Sequence, residues 1–373
     1  MSGLVVQEWM EPIGGAERVV KSLLKLREDT QLFCLWSNSE DPDLKSVNIT
    51  ESWLAKSPLA ERKALALPLM SATWRSSKLL IQPDWLFVSS HLFAHHVSLN
   101  KQFKDLPGIN YIHSPARYLW SPELDGRASK PALNLAVHAF KVVDKKSAER
   151  SNFKYLANSK NVQARIKQYW GIDSEVLYPP VRVDELKSQS HSFYAQRNSN
   201  VVVNGITLPS EYLIGVGRFV PYKCLDEVIR VASKAGLPAV LIGSGKLEQE
   251  YTKLASSLGV ELILLKGLSD VEVAKAIYFA QALIFPGIED FGIVPVEAMA
   301  LGTPVLARDL GGALETVVDG VGGFLIDDFD DCDIKRIITE AQGLPRDLVC
   351  ASVASFDEGV FALNADSFIG KLQ

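Results

Sequence analysis

Short apolar runs alternate with amphipathic stretches along the chain, and this alternation most constrains the fold. A strand buried on both faces reads as a continuous apolar run, whereas the helices that cover a parallel sheet are apolar on one face only. Runs with the length of a buried strand are Leu4–Glu8, Gln31–Leu35, Trp85–Ser89, Ile109–His113, Lys154–Ala157, Tyr212–Gly217, Ala239–Gly243, Glu261–Leu265, Ala282–Pro286, Pro304–Ala307 and Gly323–Ile326. Helical periodicity is found between them at Leu225–Ala235 and at Val271–Phe279, behind an expected N-cap at Ser269. The sequence therefore predicts an α/β fold with parallel sheets.

A chain of 373 residues is too long for one ordinary hydrophobic core, so two domains are expected. A proline-stiffened linker is predicted near residues 178–186, and the polar stretch 187–200 shows no clear period. We expect doubly wound domains at residues 1–180 and 187–354, with a C-terminal helix at about residues 355–373 packing back on the first. Ligands in such folds bind outside the carboxyl ends of the strands, which predicts a site in a cleft between the domains.

Composition narrows the class of protein. Hydrophobic residues make up 47% of the chain and charged residues 22%, which is typical of a soluble globular enzyme. The sequence shows no apolar run of membrane-spanning length, no secretion signal at its N-terminus and four scattered cysteines, which together favour the cytoplasm. Nucleic acid is not an expected partner, because no arginine-rich or aromatic–basic stripe is present. Residues 1–180 carry a charge of +5 and the remainder −10, which indicates either an anionic partner or ordinary surface variation.

Two glutamates flank a glycine in the stretch "ALIFPGIEDFGIVPVEAMALGTPVLARDLGG", residues 282–312. Gly292 is predicted to start a helix, where free N–H groups can bind hydroxyl or phosphate oxygens. Glu289 precedes that helix and Glu297 lies one to two turns into it, so both carboxylates can face one cleft and bind vicinal hydroxyls. The alternative is a capping acid and a solvated glutamate.

Two cations follow the strand at residues 212–217, in "YLIGVGRFVPYKCLDEVI". Arg218 and Lys223 lie at the carboxyl end of this strand, where they can bind a diphosphate and stabilise its departure. A loop lysine is usually just solvated, so the glycine-rich strand end supports Arg218 more than Lys223.

The first half offers two further candidates. Gly14 and Gly15 join the first strand to the first helix, which allows a phosphate to approach the backbone or simply makes a tight turn. His113 ends a strand in "INYIHSPARYLW" and can bond a sugar hydroxyl or a phosphate.

Metal sites are not expected. His91 and His95 have an i, i+4 spacing, but no nearby cysteine or acidic residue completes a set of ligands. Asp328 and Asp330 form a D-x-D within an acidic run that is most simply a solvated loop.

These motifs together resemble the retaining glycosyltransferases of family 4, which have the GT-B fold of two Rossmann-like domains facing across a cleft. Glu289 and Glu297 correspond to the family's E-x7-E element, and "GRFVPYKCLDEVI" corresponds to its arginine–lysine phosphate clamp. The resemblance covers nearly the whole chain and is most specific from about Gly215 to Leu325.

The resemblance implies a nucleotide-sugar donor, a glycan acceptor, no metal cofactor and no enzymic nucleophile. Residues 1–180 would bind the acceptor, and residues 187–354 would bind the donor. The residues implied in catalysis are His113, Arg218, Lys223 and Glu289. Those implied in donor binding are Gly14, Gly15, Arg218, Lys223, Lys266, Gly267, Leu268, Glu289, Phe291, Gly292, Ile293 and Glu297. Arg117 and His91 are candidates on the acceptor side.

"YIHSPARYLW" is also similar to the variant found in bacterial mannosyltransferases of O-antigen and exopolysaccharide assembly. This likeness implies GDP-mannose as donor and a polyprenyl-diphosphate-linked acceptor at the inner face of the cytoplasmic membrane. The segment 53–80 interleaves tryptophan and leucine with lysine and arginine, which indicates either contact with an anionic membrane or two helices packed on the core. Two other functions stay open: a UDP-sugar-dependent transferase with a soluble acceptor, and a non-catalytic nucleotide-sugar-binding scaffold subunit.

Overall fold

The computed structural model describes residues 2–11, 14–27, 29–38, 41–122, 134–196 and 200–372. The chain divides into two compact units: unit 1 comprises residues 1–180 and 358–373, and unit 2 comprises residues 181–357. The chain enters unit 2 at Val181 and leaves it after Asp357, and these two residues adjoin in a parallel bridge. The Val181 N–H donates to the carbonyl of Phe356 at 3.0 Å.

A parallel seven-stranded sheet forms the centre of unit 1. Its strands are β1 (Gly3–Gln7), β2 (Thr30–Cys34), β3 (Ile49–Glu51), β4 (Trp85–Ser90), β5 (Gly108–Ile112), β6 (Lys154–Ala157) and β7 (Glu175–Val176). The order in space is β3-β2-β1-β4-β5-β6-β7, so the strand order reverses between β1 and β4. In doubly wound sheets, ligands bind outside the carboxyl ends of the strands at such a reversal.

Unit 2 contains a parallel six-stranded sheet and a separate antiparallel hairpin. The hairpin is β8 (Val202–Val203) with β9 (Ile206–Thr207), and the sheet strands are β10 (Leu213–Val216), β11 (Ala239–Ile242), β12 (Leu262–Leu265), β13 (Ala282–Phe285), β14 (Val305–Arg308) and β15 (Gly323–Ile326). The sheet order is β12-β11-β10-β13-β14-β15, with the reversal between β10 and β13. The α/β prediction is confirmed, and each predicted strand is present with ends within one residue of those expected.

Helices follow most of the strands, as the crossover connections of parallel sheets require. They are α1 (Gly15–Leu26), α2 (Lys63–Ser76), α3 (Arg117–Trp120), α4 (Asn134–Arg150), α5 (Lys160–Trp170), α6 (Val183–Tyr194), α7 (Asp226–Ala235), α8 (Glu248–Leu258), α9 (Asp270–Phe279), α10 (Ile293–Ala300), α11 (Ala313–Thr316), α12 (Ile334–Gln342), α13 (Arg346–Ala351) and α14 (Glu358–Gly370). No helix in the described part of the chain has both the length and the apolar character needed to cross a bilayer.

Both faces of the unit 1 sheet are buried. Leu4 and Val6 of β1 point into one core, which also contains Trp74 of α2, and Val5 points into the other. Because successive side chains of a strand alternate between faces, burial on both sides produces the continuous apolar run in the sequence. The second core is completed by Phe361 of α14.

Helix α14 follows unit 2 in the sequence but packs on α1 of unit 1. Phe361 and Ile369 of α14 are buried in the same core as Val19 of α1. At the surface, Arg27 donates to Asp366 at 2.7 Å, which ties the end of α1 to α14.

The chain after Pro180 differs from the predicted linker. Helix α6 occupies most of the stretch in which the sequence shows no clear period. Val183, Leu186 and Phe193 are buried, and the Phe193 ring lies 5.6 Å from the Tyr278 ring of α9. The apolar positions are therefore periodic but widely spaced, and polar residues separate them. The predicted N-cap of α9 is confirmed, because Ser269 and Glu272 form a reciprocal capping box.

The segment 53–80 forms a short 3-10 helix at Trp53–Lys56 followed by α2. Met70 and Trp74 are buried in the unit 1 core, in agreement with the alternative of core packing. Trp53 and Leu65, however, expose 53% and 61% of their surface. The segment therefore has a buried face and an exposed face that carries apolar side chains.

Candidate functional site

The loops after β10 and β13 lie side by side in unit 2, because these strands are neighbours at the reversal of strand order. Arg218 and Lys223 follow β10, and Glu289 follows β13. Parallel strands bring their carboxyl ends to one edge of the sheet, so the three charged residues lie at the edge where a doubly wound sheet binds ligands.

Lys223 and Glu289 form an ion pair, in which the lysine Nζ donates to Oε1 of the glutamate. Their side chains expose only 16% and 20% of their surface. Gly287 explains why the two loops approach so closely: a Cβ there would lie 2.9 Å from the Tyr222 carbonyl oxygen and 3.1 Å from that of Lys223. Glycine at this position thus lets the loop that carries Glu289 pack on the backbone of the loop that carries Lys223.

Arg218 is exposed, and Tyr222 links it to the Lys223–Glu289 ion pair. Its Nη2 donates to the tyrosine hydroxyl at 2.5 Å, and its guanidinium carbon lies 6.0 Å from the centre of the Tyr222 ring. The Lys223 ammonium lies 5.7 Å from the same ring. Tyr222, which the sequence did not single out, therefore orients both cations.

Helix α10 begins at Gly292, whose φ of +93° is strained for other residues and explains the glycine at the helix start. The segment before the helix packs against a second pair of glycines. The Gly312 N–H donates to the Glu289 carbonyl at 2.8 Å, and a Cβ on Gly311 would lie 2.6 Å from the same oxygen. Glu297 lies in the middle of α10 and is half-buried.

Residues 266–268 follow β12, which is separated from β10 by one strand. Lys266 and Gly267 are exposed, and Leu268 is half-buried. The Lys266 ammonium donates to Glu248 at 2.6 Å, so this side chain is held along the surface while its backbone borders the carboxyl edge of the sheet.

In unit 1, Glu8 lies at the reversal of strand order, immediately after β1. It is fully buried and accepts hydrogen bonds from the backbone N–H groups of Leu92 and Ala94, each at 2.9 Å. Its other oxygen lies 3.1 Å from Nδ1 of His91. Burial favours a raised pKa for Glu8, but the charge of His91 and these hydrogen bonds outweigh it and lower the pKa to about 2. Motif and spacing did not indicate this residue.

His91 and His113 follow the neighbouring strands β4 and β5, and their ring centres are 6.5 Å apart. Burial lowers the pKa of both rings, but Glu8 reverses the effect at His91, whose pKa is raised. At His113, burial together with the nearby His91 lowers the pKa to about 3. His113 Nε2 lies 2.7 Å from the hydroxyl of Ser89. The pKa values of the two neighbouring histidines are therefore shifted in opposite directions.

Gly14 is the N-cap of α1, and Gly15 is its first residue. A Cβ on Gly14 would lie 1.9 Å from Oε2 of Glu17, so the missing side chain leaves room for the glutamate carboxyl. Glu17 is buried, and burial raises its pKa. Gly14 thus allows close packing against Glu17 at the start of α1. Arg117 begins α3 and is half-buried.

The expectation that no acidic residue lies near His91 and His95 is wrong. The two histidines point to different surroundings, and an acidic residue does lie near His95. His95, His96 and Asp144 of α4 are buried, with their ligand atoms within 4.8 Å of one another. Asp144 lies far away in the sequence, so spacing could not indicate it.

Asp144 is the centre of this cluster and lies close to both histidines and to two tryptophans. Both histidine Nε2 atoms lie 3.1–3.2 Å from Oδ1 of Asp144, and the indole N–H groups of Trp120 and Trp170 donate to Oδ2 at 2.7 and 3.0 Å. Three of these groups form hydrogen bonds with Asp144, namely the rings of His96, Trp120 and Trp170, whereas His95 Nε2 lies close to Oδ1 without forming one. Burial favours a raised pKa for Asp144, but the two neighbouring histidines lower it. The cluster therefore joins α3, α4 and α5 as a buried polar network.

Comparisons with known proteins place this geometry in context. Residues 196–345 match the family model described as Glycosyl transferases group 1. The chain is 29% identical over 250 residues to D-inositol 3-phosphate glycosyltransferase from Mycolicibacterium smegmatis, a match that covers 65% of this chain and 51% of that protein. The chain thus spans about half the length of this curated relative.

Two solved structures resemble the chain over its full length. Anabaena HepE in complex with UDP has a TM-score of 0.72 at 18% identity, and the apo form of the lipopolysaccharide outer core galactosyltransferase WaaB has 0.67 at 17%. Both matches cover 100% of each chain. The architecture is therefore that of the GT-B glycosyltransferases, with two parallel Rossmann-like sheets. Residues 196–345, the part that matches the glycosyl transferases group 1 model, lie within the bounds of unit 2.

Proposed function

We propose that the chain is a retaining glycosyltransferase that takes a sugar from a nucleotide-sugar donor. The observation that carries this proposal is the ion pair of Lys223 and Glu289 beside Arg218, at the strand reversal of the segment that matches the family model. Paired cations can bind a diphosphate, and a carboxylate accepts hydrogen bonds from sugar hydroxyls.

In the proposed reaction, the acceptor hydroxyl attacks the anomeric carbon of the donor sugar on the face that the diphosphate leaves. The bond between that carbon and the diphosphate oxygen breaks, and the acceptor proton passes to the departing phosphate. Arg218 and Lys223 stabilise the charge that develops there. Glu289 and the backbone of residues 291–293 bind the sugar, Glu297 binds the ribose hydroxyls, and the backbone of residues 266–268 meets the base. No side chain acts as a nucleophile, and no metal is required.

For unit 1 we propose donor contacts at Gly14, Gly15 and His113, and acceptor contacts at His91 and Arg117. The low pKa of His113 supports a neutral imidazole, which can both donate and accept hydrogen bonds. The raised pKa of His91 favours its protonated form more than in a free histidine, which suits an anionic group on the acceptor.

The donor we propose first is GDP-mannose, on the likeness of residues 109–120 to bacterial mannosyltransferases. A UDP-sugar is the second candidate, and it is supported by the fold's similarity to HepE, whose structure contains UDP. The proposed acceptor is a lipid-linked oligosaccharide of bacterial surface polysaccharide assembly at the inner face of the cytoplasmic membrane. The similarity to WaaB and the exposed Trp53 and Leu65 support this acceptor.

Thermal-shift titration tests the proposal. The purified chain is titrated with GDP, UDP, ADP and dTDP, and then with their mannose and glucose conjugates. A ligand at 100 times its Kd stabilises the folded chain by about 2.7 kcal/mol, which raises Tm measurably. A shift selective for GDP and larger with GDP-mannose supports the first donor, and a UDP-selective shift supports the second. No shift with any nucleotide would contradict the proposed enzyme.

A further inference from the structure

Lys223 and Glu289 satisfy each other in the ligand-free chain. The pair is mostly removed from solvent and is held from both sides. Gly287 packs on the backbone of Lys223, and the Glu289 carbonyl accepts the N–H of Gly312. The packing of three loops therefore fixes the backbones that carry the two charged groups, and the side chains pair between them.

This pairing affects the two parts of a donor differently. A diphosphate attracts the Lys223 ammonium, but to reach it the phosphate must approach the Glu289 carboxylate, which carries the same sign of charge. At a half-buried position like charges repel more strongly than in open solvent. A bare diphosphate therefore binds against this repulsion and leaves Glu289 without its cation. A sugar on the diphosphate changes the balance, because its hydroxyls donate to the carboxylate.

We propose that Glu289 acts as a counter-ion for Lys223 and thereby makes the site select diphosphates that carry a sugar over bare nucleoside diphosphates. This inference rests on the proposed function, since it concerns the same donor site. Its consequence is that the spent nucleoside diphosphate is held weakly after the sugar has been transferred, because the Lys223–Glu289 pair forms again as the product leaves.

Two substitutions shift this selectivity in opposite directions. Glu289→Gln keeps the size of the side chain and one acceptor oxygen but removes the charge. Bare UDP or GDP should then bind roughly tenfold more tightly, a change of about 1.4 kcal/mol. The sugar conjugate should not gain, because it loses hydrogen bonds to a charged group. Lys223→Met leaves the carboxylate without its cation, so the bare diphosphate should lose more affinity than the sugar conjugate.

Calorimetric titration measures the Kd of UDP, UDP-glucose, GDP and GDP-mannose for each variant. For each base, the readout is the ratio of the Kd of the bare diphosphate to the Kd of its sugar conjugate. The matched control is Asp330→Asn, which removes the charge from the Lys234–Asp330 pair of the same unit, 2.7 Å apart and more exposed. This control should leave both Kd values unchanged. Thermal unfolding of each variant verifies that it is folded.

The inference is supported if Glu289→Gln tightens the bare diphosphate in absolute terms while Lys223→Met widens the ratio. It is overturned if either variant shifts both ligands alike, or if Glu289→Gln weakens the sugar conjugate with no gain for the bare diphosphate. In these two cases the wild-type chain still binds nucleotide, and the proposed function stands. If the wild-type chain binds none of the four ligands, the inference and the proposed function both fail.

Discussion

Single side chains set the chemistry at the reversal between β10 and β13. Arg218 and Lys223 both contact Tyr222. Of these two cations, Lys223 is the one that forms an ion pair with an acidic side chain among the described residues. We expect Arg218→Ala and Lys223→Ala each to lower kcat by roughly 100- to 1,000-fold, because each removes a donor from the charge that develops on the leaving diphosphate. Steady-state kinetics with the donor identified by thermal shift measures the effect.

The control for these variants is Lys234→Ala, which removes a cation on the far end of α7 with no proposed role in the reaction. It should retain wild-type turnover. If Arg218→Ala retained wild-type turnover as well, the arginine would have no part in the reaction. If no variant and no wild-type chain turned over while nucleotide still bound, a non-catalytic binding subunit would be the better description.

Buried histidines make the stability of unit 1 depend on pH. Burial lowers the pKa of His113 to about 3 and that of His96 to about 4. The unfolded chain takes up protons near pH 6.5 that the folded chain does not. The folded state is therefore stabilised by its neutral histidines above pH 6.5, and this stabilisation is lost as the pH falls. A decrease from pH 6.5 to pH 5 should lower the unfolding free energy by about 2 kcal/mol for each of these two histidines. Thermal unfolding at pH 7 and pH 5 should show a lower Tm at pH 5.

His91 acts in the opposite sense. Its raised pKa gives stabilisation that is present below pH 6.5 and is lost as the pH rises through the folded-state pKa, so it offsets part of the decrease. The variant His113→Asn removes one titrating ring and should lose about half of the pH dependence that the wild type shows. An unchanged dependence in this variant would mean that His113 is charged or solvated in the folded chain.

The sequence indicated those candidate site residues that stand close together in one short motif. Arg218 and Lys223 stand in one stretch, and Glu289 and Glu297 in another, each beside a strand end. Glu8 and Asp144 were not predicted as buried polar centres, because their hydrogen-bond partners lie more than 20 residues away along the chain. A charged residue directly after the apolar run of β1 was nevertheless a visible signal, since only a buried partner can hold it there.

At the scale of elements, prediction succeeded for strands buried on both faces, because a short continuous apolar run between turn residues is typical of a strand in the middle of a parallel sheet. It failed for the two edge strands of the unit 1 sheet and for the hairpin of unit 2, whereas the edge strands β12 and β15 were predicted. β3 and β7 are short edge strands with exposed positions, so they lack such a run. The β8–β9 hairpin turns at Asn204-Gly205, and both residues have a positive φ. The Asn-Gly pair is typical of such a turn, but the strands on either side are too short to show a strand pattern in the sequence.

The exposed face of the segment 53–80 allows a test at this scale. Five side chains of this segment are exposed, namely Trp53, Leu65, Leu69, Lys56 and Arg62, and together they are called the apolar–basic patch. Apolar side chains beside cations favour the interface of an anionic bilayer. The double substitution Trp53→Ser with Leu65→Ser should lower partitioning onto phosphatidylglycerol vesicles roughly 30-fold or more in a sedimentation assay, since each apolar side chain contributes on the order of 1 kcal/mol or more when inserted.

The matched control for the patch is Leu363→Ser on α14, which removes an apolar side chain that is 75% exposed in the same unit. This control should bind vesicles as the wild type does. Binding that is equally strong in the double variant, or absent from the wild type at low salt, would leave the apolar–basic patch without a role at membranes.

At the scale of the whole molecule, unit 1 depends on a helix that the sequence supplies after unit 2. Phe361→Ala should lower the unfolding free energy of unit 1 by about 3–5 kcal/mol, because it leaves a cavity beneath α14. Leu363→Ala, on the exposed side of the same helix, should cost less than about 0.5 kcal/mol. Differential scanning calorimetry of both variants measures the difference. Equal effects would mean that α14 does not pack on α1 in solution.

The position of α14 in the chain also has a consequence during protein synthesis. The ribosome makes the sheet of unit 1 first, yet the helix that covers Val19 and Leu23 emerges only after the whole of unit 2. The nascent chain therefore displays an apolar face on its first domain while its second domain is being translated and folded. A chain stopped anywhere within unit 2 would keep that face exposed, which makes truncated products natural targets for chaperones and proteases.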